Sequence, residues 1–369
     1  MECAHTDWVD NEQYLRRLRI KVAQERIPLT GSLDLTHRCN LRCVHCYLGG
    51  KQNRQENRDK ELSTAQWIST IDEITEAGCL YLLITGGEPL IRKDFFEIYS
   101  HAKMKGLLVT VFTNGTLITD RVLELFGDLP PHVVEISLYG ATAQTYERVT
   151  RVKGSYRQCL KGIERLMEIK TRLKLKTILM THNRHEFHEI EDMARHWGLK
   201  FRFDAGIFPC SNGDKTPIGL RVSPQEAIEK EFSDKARLQR WRDYFKEMRG
   251  VPASQTLYDC GAGRMSFHID PYGFLKPCLM VNSPKVDVSN GGFLAGWDDV
   301  IPLIGEKELS PGLSCHECEK RSLCGFCPAF FALESGSENI RSEYLCAIGH
   351  RRFQLIETFD SGGNPYGMR

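Results

Sequence analysis

The stretch CNLRCVHCY, residues 39–47, packs three cysteines into eight positions and then ends on an aromatic residue. A closed zinc site needs four ligands and a disulfide needs two cysteines, so three thiols leave one ligand position unexplained. Thiolates spaced C-x3-C-x2-C can bind three corners of a cubane iron–sulfur cluster and leave its fourth iron open to another group. The alternative is a zinc site completed by His37 or His45. The spacing favours the cluster and leaves the zinc site open.

The composition of the whole chain fits a folded metalloprotein. Its 369 residues include 49 Lys and Arg against 48 Asp and Glu, so a net charge of +1 offers no basic surface for nucleic acid or anionic membrane. No apolar run is as long as a membrane span, and the N-terminus lacks the apolar segment of a secretion signal. Fourteen cysteines at close spacings then indicate metal-bound thiolates in a reducing cytoplasm. We expect a cytoplasmic protein with no nucleic-acid or membrane partner.

Residues 31 to about 210 alternate between apolar, strand-like runs and amphipathic, helix-like runs. Nearly six strand–helix repeats predict parallel strands joined by right-handed helical crossovers. Four of the strand-like runs end in the small or polar loops TGGEP, TNG, SLYG and THN. In a parallel barrel such strand ends meet on the functional face. The three-cysteine loop follows the first strand, so we expect it on the same face of an α/β fold, a partial (β/α)6 parallel barrel.

The chain divides into five predicted parts. They are a helical extension at 1–30, the barrel at 31–210, a helical bridge at 211–255, a cysteine-rich domain at 256–350, and a helix end with a flexible tail at 351–369. Within them, Ser63 is the predicted N-cap of a helix over 62–78, and 224–250 is predicted to be charged, amphipathic helix.

The cysteine motif and a second motif about forty residues later resemble the radical S-adenosylmethionine family. That family places an aromatic residue after its C-x3-C-x2-C motif, and Tyr47 holds this position here. TGGEP, residues 85–89, is similar to the family's turn that binds the amino group of the cofactor's methionine part. Glycines expose backbone carbonyls in such a turn, and Glu88 would add charge near a cationic amine. The resemblance implies a [4Fe–4S] cluster held by Cys39, Cys43 and Cys46.

The same resemblance implies a radical reaction. In the family the fourth iron binds the methionine amine and carboxylate of S-adenosylmethionine, and one electron then cleaves the sulfonium to a 5′-deoxyadenosyl radical that abstracts hydrogen from substrate. The residues implied to contact the cofactor are Tyr47, Gly86, Gly87, Glu88, Asn114, Ser137 and Arg151. For Ser137, Asn114 and Arg151 the alternatives are a strand-end hydrogen bond, a turn and a solvated surface arginine, respectively. No residue is assigned as catalytic acid or base.

Seven further cysteines lie between residues 260 and 346. One zinc needs fewer, and a zinc ribbon expects a long hairpin where only five residues separate Cys318 from Cys324. CGAG at 260–263 and IDPYGFLKPC at 269–278 resemble the SPASM domain, the auxiliary-cluster extension of radical enzymes that modify peptides and proteins. The resemblance therefore adds a C-terminal auxiliary-cluster domain to the predicted barrel.

The SPASM resemblance implies two auxiliary [4Fe–4S] clusters, and so three clusters in all. Their ligands would be Cys315, Cys318, Cys324 and Cys346 for an outer cluster, and Cys260, Cys278 and Cys327 for an inner one. The family usually spaces its last paired cysteines by three, whereas Cys324 and Cys327 are separated by two, so this allocation is less fixed than the presence of clusters. The motifs supply ten cysteines, one fewer than three such clusters need. We expect an open or non-cysteine position on the inner cluster, with Cys210 as the alternative ligand.

The two resemblances together imply an oxidoreductase that matures a ribosomally made peptide by a cross-link, thioether, oxidation or epimerisation. Many such enzymes carry a peptide-recognition domain before the barrel, and the roughly thirty residues at 1–30 are too few for that fold. We therefore expect a separate leader-peptide recognition protein, together with an external electron donor of flavodoxin or ferredoxin type.

Three alternatives to peptide maturation stay open. One is a radical enzyme acting on a small molecule such as a sugar, a cofactor precursor or a tetrapyrrole. Another is an electron carrier without catalytic activity, which the TGGEP turn and the open thiol triad disfavour. The third is a sulfatase-maturing enzyme, whose relatives carry an aspartate where this chain has Leu279. Asp270 or Asp204 would then have to supply the base.

Overall fold

The computed structural model describes residues 11–49, 58–251, 256–310, 312–315 and 317–362. Its strands are β1 Thr30–Thr36, β2 Tyr81–Gly86, β3 Leu108–Thr113, β4 Val133–Ser137, β5 Leu173–Ile178, β6 Lys200–Asp204, β7 Ser266–Ile269, β8 Phe274–Lys276 and β9 Val286–Asp287. They form one nine-stranded sheet in the order β6-β5-β4-β3-β2-β1-β7-β8-β9. Neighbours from β1 to β6 all pair in parallel, which confirms the predicted α/β architecture of six parallel strands.

The helices follow the strands as right-handed crossovers require. They are α1 Asn11–Gln24, α2 Thr64–Glu76, α3 Phe95–Met104, α4 Asp120–Asp128, α5 Ala143–Thr150, α6 Ser155–Glu168, α7 Phe187–His196, α8 Pro224–Phe232, α9 Lys235–Met248, α10 Phe293–Ala295, α11 Arg321–Cys324, α12 Pro328–Ser335 and α13 Glu343–Asp360. Short 3-10 turns lie at Arg58–Lys60, Pro89–Ile91, Arg184–Glu186, Thr216–Leu220 and Ile301–Ile304, and a π turn at Gly296–Val300. Among the residues described, no helix is long and apolar enough to cross a membrane.

Helix α2 shows how local sequence positions the crossovers. Ser63 is its N-cap as predicted, and Gln66 completes a capping box by accepting from the Ser63 N–H at 2.9 Å. Trp67, Ile71 and Ile74 recur at helical spacing and are all fully buried. That apolar face packs against the sheet, in the core that extends through the barrel strands.

The stretch 224–250 is helical as predicted, but it forms two helices, α8 and α9. Ser233 is the C-cap of the first, and Asp234 caps the second, because its carboxylate accepts from the backbone N–H groups of Ala236 and Arg237. Helix α5, capped by Thr142, was not predicted at all. The predicted flexible end of the tail, at 363–369, lies outside the described residues, as do residues 1–10 of the predicted extension.

Strand β7 joins the cysteine-rich region to the barrel. It pairs in parallel with β1, with Ser32 opposite His268, and thereby extends the barrel sheet at its first edge. The antiparallel strands β8 and β9 then follow it. The cysteine-rich region therefore lies beside β1 and borders the space at the C-terminal end of that strand.

Candidate functional site

A cavity of about 450 Å³ opens at the C-terminal ends of the parallel strands. We call it the central cavity. Eight residues of the predicted site line it, namely Cys39, Cys43, Cys46, Tyr47, Gly86, Gly87, Asn114 and Ser137. The fold therefore brings the three-cysteine loop, the glycine turn and the ends of β3 and β4 around one space.

The glycine turn is joined backbone to backbone with the segment that leads into Cys39. The Gly87 N–H donates to the Thr36 carbonyl at 2.7 Å, and the Glu88 N–H donates to the Arg38 carbonyl at 2.9 Å. A Cβ on Gly87 would lie 2.2 Å from the Arg38 oxygen, and one on Gly86 would lie 2.3 Å from the Thr36 oxygen. Close backbone approach therefore requires glycine at both positions.

Glu88 is fully buried beneath this turn and is not among the residues that line the central cavity. Its carboxylate accepts from the Thr113 hydroxyl at 2.8 Å, the Asn114 N–H at 2.8 Å and the Leu90 N–H at 3.2 Å. Burial raises the pKa of Glu88 to about 7, although these hydrogen bonds oppose the increase. Glu88 therefore fixes the turn to the end of β3, whereas its sequence interpretation gave it direct contact with an amine.

We predict that Glu88→Gln removes part of the pH dependence of stability. The folded-state pKa of Glu88 lies above its ordinary 4.5, so the stability contributed by its proton is present below pH 4.5 and is lost as pH rises through about 7. The unfolding free energy of the wild type should fall by about 3 kcal/mol relative to that of Glu88→Gln over this interval. Anaerobic denaturant titrations from pH 4.5 to 8 measure it, and parallel curves for the two proteins would contradict it.

Asn114 contacts the cysteine loop directly. Its side-chain amide nitrogen donates to the side-chain oxygen Oδ1 of Asn40 at 2.8 Å and lies 3.8 Å from the Cys39 sulfur. The Leu41 N–H also donates to that sulfur, at 3.4 Å. Such donors stabilise a thiolate and orient it toward a metal. Asn114 therefore makes the predicted turn and also touches the site.

Tyr47, Ser137 and Arg151 occupy different places. The Tyr47 ring lies 5.9 Å from that of Phe208 at the cavity wall, and Ser137 lines the cavity at the end of β4. Arg151 instead borders an adjoining pocket of about 820 Å³ with the three cysteines of the first motif and Cys210. It is not among the residues that line the central cavity.

The arrangement of the three thiols fits an iron–sulfur cluster better than zinc. His37 lies 3.4 Å from the Asp34 carboxylate and is not among the residues that line the cavity. His45 lines it, but its ring packs edge-on against Tyr139. Across the described ranges, no three His, Cys, Asp or Glu side chains converge closely enough for one metal ion. Three separated thiols beside a glycine cradle suit a [4Fe–4S] cluster whose fourth iron takes an outside ligand.

The C-terminal cysteines form two groups. Cys315, Cys318, Cys324 and Cys346 line one small cavity of about 60 Å³. Burial, and then the neighbouring Cys278 and Cys260 side chains, raise the pKa of Cys327 to about 11, so these three cysteines form the second group. Cys210 lies in neither group, because its thiol donates to the Cys46 carbonyl at 3.4 Å. The structure therefore puts the alternative eleventh ligand beside the first motif.

The sequence interpretation missed charged residues inside the cavity. Asp34 and His268 lie on neighbouring strands β1 and β7, and Lys176 and Arg202 line the opposite wall, where both pair with Glu135. A charged residue within a strand of otherwise apolar alternation was the available signal for Asp34, in the run SLDLT. His268 gave no such signal, because β7 was not predicted.

Comparison with known proteins agrees with this geometry. Residues 33–196 match the model of the Radical SAM superfamily. An AdoMet-dependent heme synthase of Methanosarcina barkeri is 26% identical over 84% of this chain and 93% of its own length. The mycofactocin maturase MftC of Mycolicibacterium smegmatis is 29% identical over 82% of this chain and 78% of its own length.

A solved structure gives the same architecture. Streptococcus suis SuiB bound to the precursor peptide SuiA superposes with a TM-score of 0.69 over 94% of this chain and 83% of that one. Its sequence identity is 18%, so the likeness establishes the fold alone.

Proposed function

Since the chain belongs to the radical SAM superfamily through residues 33–196, we propose that it is an S-adenosylmethionine-dependent oxidoreductase that modifies a ribosomally made peptide. One observation carries the proposal. The cysteine loop and the glycine turn face a single cavity whose other walls include β7 and Leu279 of the cysteine-rich region. A substrate in this cavity would lie between the first thiol group and the domain that carries the other two.

The residues of the central cavity would have different roles in the reaction. A cluster held by the three thiols would supply the electron, and S-adenosylmethionine would supply the radical that removes a hydrogen from an unactivated carbon. Gly86 and Gly87 hold the turn against the segment that leads into Cys39, and Asn114 and Leu41 donate toward the Cys39 sulfur. Apolar side chains, among them Leu83, Ile178, Ile207 and Phe208, exclude water from the space.

The other two thiol groups would hold auxiliary clusters. The outer group has four cysteines around one cavity, enough for a fully ligated [4Fe–4S] cluster. The inner group has Cys260, Cys278 and Cys327, and Cys210 lies elsewhere. We therefore retain the proposal of an inner cluster with an open or non-cysteine position, and of three clusters in total.

One sequence relative supports a peptide substrate and another supports the alternative. MftC is named as a maturase, and SuiB was solved with a precursor peptide. The heme synthase relative instead favours the small-molecule alternative, a tetrapyrrole precursor above all. For peptide maturation, a separate leader-recognition protein and a flavodoxin- or ferredoxin-type donor complete the proposal.

The proposal predicts a mass change in a peptide. We expect anaerobic co-expression with each short open reading frame flanking the gene to yield one modified peptide. A loss of two hydrogens would identify a cross-link or an oxidation. Epimerisation leaves the mass unchanged in ordinary water, so the experiment is repeated in deuterated water. The matched control is the variant without the three thiols of the first motif.

The same experiment separates the two candidate functions. If no peptide changes in either solvent while deoxyadenosine is still released, peptide maturation is wrong and the small-molecule function takes its place. If deoxyadenosine is not released under dithionite, the protein does not use S-adenosylmethionine as proposed.

A further inference from the structure

Asp34 is a carboxylate buried in the wall of the central cavity without a matched partner. Its side chain is fully buried, and neither oxygen has a hydrogen-bond partner among the described residues. The nearest basic atoms are the Nε2 atoms of His37 and His268, at 3.4 and 3.8 Å from Oδ2. Buried carboxylates are normally hydrogen-bonded, so two unpartnered acceptor atoms on a residue that lines the cavity indicate a ligand.

His268 stands beside Asp34 and has an open ring nitrogen of its own. It is 1% exposed, and its Nδ1 lies 2.7 Å from the Ser32 hydroxyl on the facing strand. Its Nε2 has no hydrogen-bond partner within the part of the chain that the structure describes. Ser32 therefore fixes the orientation of the ring and leaves Nε2 available next to the Asp34 carboxylate.

The negative charge of Asp34 is not neutralised by the basic side chains around it. Burial lowers the pKa of His268 to about 4, although the Asp34 carboxylate opposes this decrease. Burial acts to raise the pKa of Asp34, but the nearby histidines and Lys276 outweigh it and hold the pKa below its usual value. Lys276 is already paired with Asp270, at 3.4 Å. The carboxylate is thus a buried anion with no lysine or arginine nitrogen within 4.0 Å among the described residues.

We propose that Asp34 and His268 form a subsite that binds a positively charged nitrogen group of the substrate, a lysine ammonium or an arginine guanidinium. Such a group donates hydrogen bonds to both carboxylate oxygens and neutralises the buried charge. His268 then offers its Nε2 as a further polar contact. The assignment of the cation to a peptide side chain rests on the proposed function, whereas the preference of the cavity for a cation does not.

The test compares n-butylguanidinium with N-butylurea, a neutral molecule of the same shape. Ligand-observed NMR titrations use the anaerobic, cluster-loaded enzyme with saturating S-adenosylmethionine. We expect the guanidinium to bind wild type at least about tenfold more tightly than the urea. Asp34→Asn should abolish this preference and Asp34→Glu should retain it. Asp204→Asn is the matched control, since that carboxylate lines the same cavity but already accepts from the Gly206 N–H at 2.7 Å.

Three outcomes would overturn the subsite. They are equal affinities of wild type for the two probes, a preference that survives Asp34→Asn, and competition between guanidinium and S-adenosylmethionine, which would assign Asp34 to the cofactor. The comparison of the two probes on the wild type needs no variant. It therefore tests the subsite even if the Asp34→Asn protein does not fold. The titration also needs no peptide. A negative co-expression result with a retained guanidinium preference would therefore refute peptide maturation and leave the cation subsite standing.

Discussion

Replacing Cys39, Cys43 and Cys46 together by alanine is expected to abolish both deoxyadenosine release and product formation, and to remove about four irons per chain. The three thiols line one cavity and come from a single loop after β1. Among the described residues that border these thiols, Cys210 is the one further cysteine, and one thiol cannot replace three. Iron and acid-labile sulfide analysis and the release of deoxyadenosine under dithionite measure the effect.

The control for the thiol triad is Cys79→Ala. This cysteine is buried at the edge of the core, and burial raises the pKa of its thiol to about 12, so it remains protonated. Its variant should keep the full iron content and full deoxyadenosine release. A triad variant that kept the wild-type amount of iron would show that the first motif holds no cluster, and the proposed function would then be lost.

Gly87→Ala is expected to be strongly damaging, although it replaces only a hydrogen by a methyl group. The new Cβ would lie 2.2 Å from the Arg38 carbonyl oxygen and 2.7 Å from that of His37, and real Cβ contacts essentially never fall below 3.0 Å. Both neighbours are backbone atoms in the segment that leads to Cys39, so relief requires that the cysteine loop moves. We expect a loss of about 3 kcal/mol in unfolding free energy and at least about tenfold weaker S-adenosylmethionine binding.

The matched control for this prediction is Gly127→Ala. Gly127 lies within helix α4, and an added Cβ there meets nothing within 4 Å. Alanine should therefore leave cofactor binding unchanged and raise stability by up to about 1 kcal/mol. Denaturant titration and equilibrium binding measure both variants. A Gly87→Ala protein that binds the cofactor as well as Gly127→Ala would show that the loop tolerates displacement.

Much of the barrel followed from local patterns in the sequence. The alternation of apolar strands and amphipathic helices predicted six parallel strands, because hydrophobic periodicity is a property of ten to twenty adjacent residues. The Ser63 cap was predictable for the same reason, since Ser63 and Gln66 lie within one helical turn. Cysteine spacing belongs to the same class of local information. It located the first motif, whereas the division of the C-terminal cysteines was implied by the resemblance to the SPASM domain.

The tertiary structure alone decided which distant groups meet. Ser32 and His268 are separated by 236 positions and face each other only because β7 pairs with the free edge of β1. Glu88 turned out to be buried beneath its turn, and Arg151, at the end of α5, borders a pocket with the three cysteines but does not line the central cavity.

The physical reason is the range over which each interaction acts. Caps, periodicity and ligand spacing depend on neighbours in the chain, so the sequence by itself determined the barrel, the three-thiol loop and the glycine turn. The pairing of strand edges and the burial of side chains depend on which distant parts of the chain pack against each other. A local sequence pattern does not contain that information. For this reason the anionic Asp34 wall, which the sequence shows only as a single charged residue within a strand, emerged as a candidate subsite only in the folded chain.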